Sequence, residues 1–200
     1  KILEFIGPGI ANLSMDFRNG IDVMTTETAC LSSVWETDAK TEEYFLEHGR
    51  PEDFRRMSPV QPAYYDGAVT VDLSRIEPMI ALPFHPSNAI PLRELLENPY
   101  EILQKVEEDG RRIKGDDSFT LTDKIRDGKI YVEQGIIAGC AGGMYETIAE
   151  AAEILRDREV GTGAFSLSIY PSSQPVYKCL VDNGYASILM DAGAVIKTAF

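Results

Sequence analysis

Basic residues, histidine, tryptophan and cysteine are all scarce in this 200-residue chain. Nineteen Lys and Arg face 32 Asp and Glu, which leaves a net charge of -13 and a pI of about 4.6. So acidic a surface repels phosphate backbones and argues against nucleic acid as a partner. It leaves a small anionic substrate open, because a pocket can be locally positive on an acidic protein. The three cysteines, Cys30, Cys140 and Cys179, are odd in number and far apart. That excludes a disulfide framework and reads as a reducing, cytoplasmic compartment. No run of eighteen apolar residues occurs, so no membrane-spanning helix is expected. No basic-then-apolar leader precedes a cleavage site.

What is present is the composition of an ordinary globular protein, 44% hydrophobic and 26% charged, with enough length for one large domain or two small ones. "KILEFIG" reads as a strand running into the turn Gly7-Pro8-Gly9. From Ser14 to Trp35 the pattern predicts two helices flanking Gly20. "TDAKTEEYFLEHGR" is a clearer helix, capped by Asp38 or Thr41 and stopped at Gly49. "AVTVDLS" alternates as a half-buried strand does. "ALPFHPSNAIPL", with three prolines, predicts a loop or extended segment. The charged stretch from Arg93 to Lys129 reads as a surface connection, helical in part around Tyr100 to Glu108 and mobile around Gly110 to Ser118.

Beyond it strands and helices alternate: "IYVEQGIIAG", "MYETIAEAAEILRDRE", "AFSLSIY", "SSQPVYKCLVDNG", "ASILMDAG" and "AVIKTAF". Such alternation predicts an α/β fold with a mainly parallel sheet and helices on its faces. Both ends, "KILEFIGPGI" and "AGAVIKTAF", read as cut from a longer chain.

In a parallel α/β sheet, ligands bind beyond the carboxyl ends of strands. Cys140 lies at such a corner, in "GIIAGCAGGMYETIAEAAEIL". Gly139, Gly142 and Gly143 let the backbone approach something closely or take unusual torsions. A helix beginning near Met144 would turn its positive end toward the thiol and favour the thiolate, a nucleophile or metal ligand. The plainer alternatives are a small buried hydrophobe, or a phosphate-cradling turn with the cysteine as bystander. No P-loop pattern is present.

Several stretches together resemble the aconitase superfamily of iron-sulfur hydro-lyases. They are "KILEFIGPGIANLSMDFRNGIDVMTTETACLSSVW", "VDLSRIEPMIALPFHPSNAIPL", "IIAGCAGGMYETI" and "SIYPSSQPVYKCLVDNGYASILMDAGAVIKTAF". The resemblance implies an internal fragment built as three-layer α/β domains. Residues 1–92 would be the second domain, 93–128 a charged connection, and 129–200 the first part of a third. It implies a [4Fe-4S] cluster in the parent protein, with Cys140 as the first of three cysteine ligands to iron. The other two would form a Cys-x-x-Cys pair just after Phe200, so the fragment alone would lack the cluster and be inactive. Cys30 and Cys179 match no ligand and read as buried or partly buried thiols.

Three thiolates leave one iron open as a Lewis acid for a hydroxy-acid substrate of di- or tricarboxylic, citrate- or isocitrate-like type. Glu27 matches the family carboxylate that exchanges a proton with the hydroxyl at that iron. Its neighbours Thr26, Thr28, Ala29 and Cys30 suggest a partly enclosed place. Departures stand at Gly139, Ala141, Gly142 and Val23, where aconitase proper carries polar residues, so a divergent hydratase is expected. The remaining domains of the same chain would be its partners. His48 reads as a helix-end residue and His85 as a solvated loop residue. The rival reading is a non-catalytic α/β module for a phosphorylated metabolite or nucleotide.

Overall fold

A computed structural model describes residues 1–161 and 163–198. In chain order its strands and α-helices are β1 (Ile2–Phe5), α1 (Met15–Met24), β2 (Ser32–Trp35), α2 (Ala39–Glu47), β3 (Met79–Ala81), β4 (Ala89–Pro91), α3 (Leu92–Glu97), α4 (Pro99–Lys114), β5 (Ile125–Arg126), β6 (Lys129–Ile130), β7 (Gln134–Ile137), α5 (Gly139–Gly142), α6 (Tyr145–Leu155), β8 (Ser166–Ile169), α7 (Gln174–Asp182), α8 (Tyr185–Asp191) and β9 (Val195–Ile196). Helices with small, mostly parallel sheets make this an α/β fold. The chain divides into two compact units, one of residues 1–69 with 134–200 and one of residues 70–133.

In the first unit β1 pairs parallel to β2, and β7, β8 and β9 form a parallel sheet with β8 in the centre. The central strand buries Leu167 and Ile169. The apolar spacing of α6 supplies Ile148 and Ala152 to the same core, and Leu180, Leu189 and Ala194 complete it. Ile148, Ile169, Leu180 and Leu189 are fully enclosed. Each such side chain is worth roughly 1.5–3 kcal/mol relative to exposure. The expected terminal strand is formed at Val195–Ile196, and Ala199 and Phe200 lie outside the described residues.

Helix α2 starts with a capping box: Asp38 accepts the Thr41 N–H and the Thr41 hydroxyl oxygen accepts the Asp38 N–H. It ends before Gly49, whose φ of +68 suits glycine. The two helices expected between Ser14 and Trp35 are one. Gly20 sits inside α1, a 3-10 turn covers Thr25–Thr28, and the stretch closes as strand β2. "AVTVDLS" forms no strand and is exposed from Ala68 to Asp72, because no neighbour pairs with it.

The second unit corrects the reading of the charged stretch. The proline-rich segment is the connection of an antiparallel pair, β3 with β4. Helix α4 extends through Gly110 to Lys114 and stops at Gly115, φ +64. Leu82, Leu95, Leu103 and Val106 form its core. The buried Glu107 carboxylate accepts the N–H groups of Leu121 at 2.8 Å and Thr122 at 3.0 Å and the Thr122 hydroxyl at 2.9 Å. Arg111 pairs with it at 2.6 Å. β5 and β6 form a hairpin across Asp127 and Gly128, both at positive φ. "IYVEQGIIAG" is therefore split, with β6 ending at Ile130 and β7 beginning at Gln134.

Candidate functional site

Cys140 stands exposed in α5, a single helical turn that follows β7 directly. Two of the three glycines around it have distinct jobs. Gly139 turns the chain at φ +87. Gly143 brings the backbone against the next crossover: a Cβ there would sit 2.6 Å from the carbonyl oxygens of both Gly139 and Tyr170. The Ser172 N–H donates to the Gly143 carbonyl at 2.8 Å, which fixes that approach. Gly142 meets neither condition; a Cβ there would enter open space.

Helix α6 begins at Tyr145, beside the expected start near Met144. Its N-cap, Met144, provides no side-chain cap. The Glu146 N–H is taken by Asp16 of α1 at 3.0 Å, so this amide serves a carboxylate rather than the thiol. Ser14, the N-cap of α1, donates its hydroxyl to the Glu146 carboxylate.

Glu27 lies in the 3-10 turn that continues α1, and its side chain is exposed, not enclosed. The turn is held from beneath by buried Thr25, whose hydroxyl donates to the Asp22 carbonyl at 2.7 Å. The Asp22 carboxylate accepts the Ser33 hydroxyl and the Trp35 indole N–H, the latter at 3.2 Å, which ties the turn to β2. Ala29 closes the turn at φ +54, a left-handed conformation that costs a non-glycine residue roughly 1–2 kcal/mol.

The two turns border one open, mainly apolar depression of about 530 Å³. Its lining includes Leu3, Phe17, Met24, Thr28 and Ala141. Glu27 is adjacent in sequence to Thr28, and Cys140 to Ala141.

The other cysteines stand elsewhere. Cys30 is half-buried beside the Thr28 hydroxyl at 3.0 Å, and Cys179 is exposed on α7 rather than buried. Among the described residues no group of three or more His, Cys, Asp or Glu side chains gathers as a metal site. His48 caps the end of α2, with Nδ1 2.8 Å from the Tyr44 carbonyl oxygen, and His85 is exposed with Nδ1 2.8 Å from the Ser87 hydroxyl. Among the described residues no helix is long and apolar enough to cross a membrane.

The model of the aconitase family (aconitate hydratase) matches residues 1–200. The chain belongs to the aconitase family. It is similar to the 3-isopropylmalate dehydratase large subunit of Caldicellulosiruptor bescii, 29% identical over 198 residues. It is similar also to the 2,3-dimethylmalate dehydratase large subunit of Eubacterium barkeri, 28% identical over 198 residues. Each match covers 99% of this chain but 38% and 39% of the respective relative, so the aconitase-family chain described here spans well under half of their length.

The interlock of Ser14, Asp16 and Glu146 was not legible from sequence. A capping serine before α1 is a local signal, but partners 130 and 132 positions away leave none.

Proposed function

We propose that the intact protein is a hydro-lyase that removes and restores water on a hydroxy-carboxylic acid of the substituted-malate type, with Cys140 and Glu27 at its site. The observation that carries this reading is that the Cys140 turn and the Glu27 turn border the same depression. Family membership and relatives named as dehydratases support the reaction class. The substrate type follows the isopropylmalate and dimethylmalate of those names rather than citrate.

Cys140 would hold one iron of a [4Fe-4S] cluster through its thiolate. The resemblance assigns the remaining two thiolates to residues beyond these 200, so the stretch alone would be inactive. When bound, such a cluster supplies a Lewis-acidic iron for a hydroxyl and a carboxylate. The exposed Glu27 side chain would give a proton to the hydroxyl that departs as water and, as a carboxylate, take one back from the water added on rehydration. Its 3-10 turn, pinned by Thr25 and Asp22, limits where that proton is held. The apolar wall of Leu3, Phe17 and Met24 suits an alkyl substituent better than a third carboxylate.

Anaerobic reconstitution of the intact protein with iron and sulfide tests the assignment. Cys140→Ala is expected to abolish cluster content, and retention of wild-type content in that variant overturns the ligand role. Glu27→Gln is expected to keep cluster content while slowing dehydration of 3-isopropylmalate or 2,3-dimethylmalate by about 100-fold or more. Wild-type turnover by Glu27→Gln would remove Glu27 from the chemistry. Faster turnover of isocitrate than of either alkyl malate would overturn the substrate class.

A further inference from the structure

Two helix N-termini meet in the first unit, and side chains at each start bond to the other. The Ser14 hydroxyl accepts the Phe17 N–H of α1 at 3.2 Å and donates to Glu146 of α6. Asp16 of α1 accepts the Glu146 N–H at 3.0 Å. Both helix starts carry partial positive charge and would repel each other; a carboxylate from each helix lies between them and reverses the sign. Ser14, Asp16 and Glu146 are all half-buried, which shields these bonds from competing water. Neither Asp16 nor Glu146 is needed to finish a core.

The segments joined to the two helix starts give this exchange its consequence. Helix α1 runs without a break into the 3-10 turn of Glu27. Helix α6 begins three residues after α5, which carries Cys140, and the intervening Gly143 is held rigidly against the Ser172 amide. Fixing the start of α1 against the start of α6 therefore fixes the Glu27 turn against the Cys140 turn.

We propose that Ser14, Asp16 and Glu146 form a positioning latch that sets the Cys140 turn in place relative to the Glu27 turn. Its catalytic meaning rests on the roles proposed for Cys140 and Glu27; its mechanical action does not. Asp16 and Glu146 act as positioning residues, through the two turns rather than on reacting atoms.

The test uses the intact protein stripped of metal. Deuterium uptake is read separately across residues 139–148 and across residues 174–182 of α7. Asp16→Ala is expected to raise uptake across 139–148 about five-fold, the local-opening equivalent of the ~1 kcal/mol typical of a lost helix cap. Uptake across 174–182 is expected to stay unchanged. Asp16→Asn, which keeps an acceptor oxygen, is expected to restore uptake across 139–148 to within about two-fold of wild type. Ser14→Ala breaks the other half and is expected to act in the same direction. Equal uptake across 139–148 in wild type and both alanine variants overturns the latch. So do equal increases in both segments, the mark of general loosening. Because no metal is present, failure to assemble iron would sink the cluster reading and leave this result intact.

Discussion

Arg18 shows how one residue can organise several elements. It is 2% exposed, yet donates to both Asp38 oxygens at 2.9 and 2.6 Å and to the Ile10 carbonyl at 2.9 Å. It also reaches the Thr41 hydroxyl at 3.2 Å, so the start of α2 is built around a charge from α1. Only its Nε lacks a partner among the described residues. The guanidinium holds the Asp38 carboxyl well below its ordinary 3.8, at about 2. A depressed carboxyl pKa stabilises the fold fully above the unfolded value, and that contribution is lost as pH falls through the folded one. Stability should therefore fall as the pH drops from 3.8 toward about 2. Trp35, stacked on Phe5 with ring centroids 4.2 Å apart, reports it by fluorescence. Arg18→Met is expected to cost about 3 kcal/mol and to flatten that pH window. An unaltered profile in the variant would show that the pair does not set the acid limb.

At the scale of elements, α4 is the most constrained helix of the second unit. A Cβ on Gly110 would meet the Phe119 ring at 2.6 Å and the Phe84 ring at 2.8 Å. Gly110→Ala is expected to destabilise this unit by about 1–3 kcal/mol through overpacking. Glu107→Gln should lower the urea midpoint as well, because amides of Leu121 and Thr122 hold that carboxyl down at about 2. Far-UV circular dichroism during urea unfolding reads both, and a wild-type midpoint in either would contradict the account. The charge of α4 made it look like a solvated connection from sequence, since four buried positions in sixteen are a narrow stripe. Helices α2 and α7 were legible from local caps, and α6 and α8 from their local apolar spacing. Strand β2 was not: "SSVW" is half polar, and it is a strand only because β1 lies beside it. The converse holds for "AVTVDLS", where alternation without a partner makes nothing. The hairpin at Asp127-Gly128 did carry a local signal, but the surrounding charge masked it. Cys140 was singled out by its glycine-rich corner and Glu27 by family resemblance, whereas the clash at Gly143 and the interlock of α1 with α6 exist only in three dimensions.

For the molecule as a whole, the excess of 32 acidic over 19 basic residues dominates the electrostatics. The ion pairs with exposed partners, such as Arg112 with Asp109 and Lys178 with Asp182, contribute little each. Self-repulsion of the net -13 charge is thus expected to outweigh them, and salt to relieve it. Raising NaCl from about 10 mM to about 200 mM should lift the melting temperature by a few degrees. A fall would mean that local pairs prevail. The chain path adds a different consequence. The first unit is interrupted by residues 70–133 and resumes at Gln134. During synthesis the inserted unit leaves the ribosome complete while its host is still half made. Ser14 and Asp16 must then wait for Glu146, 132 and 130 codons downstream, a delay of roughly ten seconds at ordinary translation speed. The inner unit is complete at Glu133, 13 codons before Glu146, so it has a head start of about one second over the closing of the outer one.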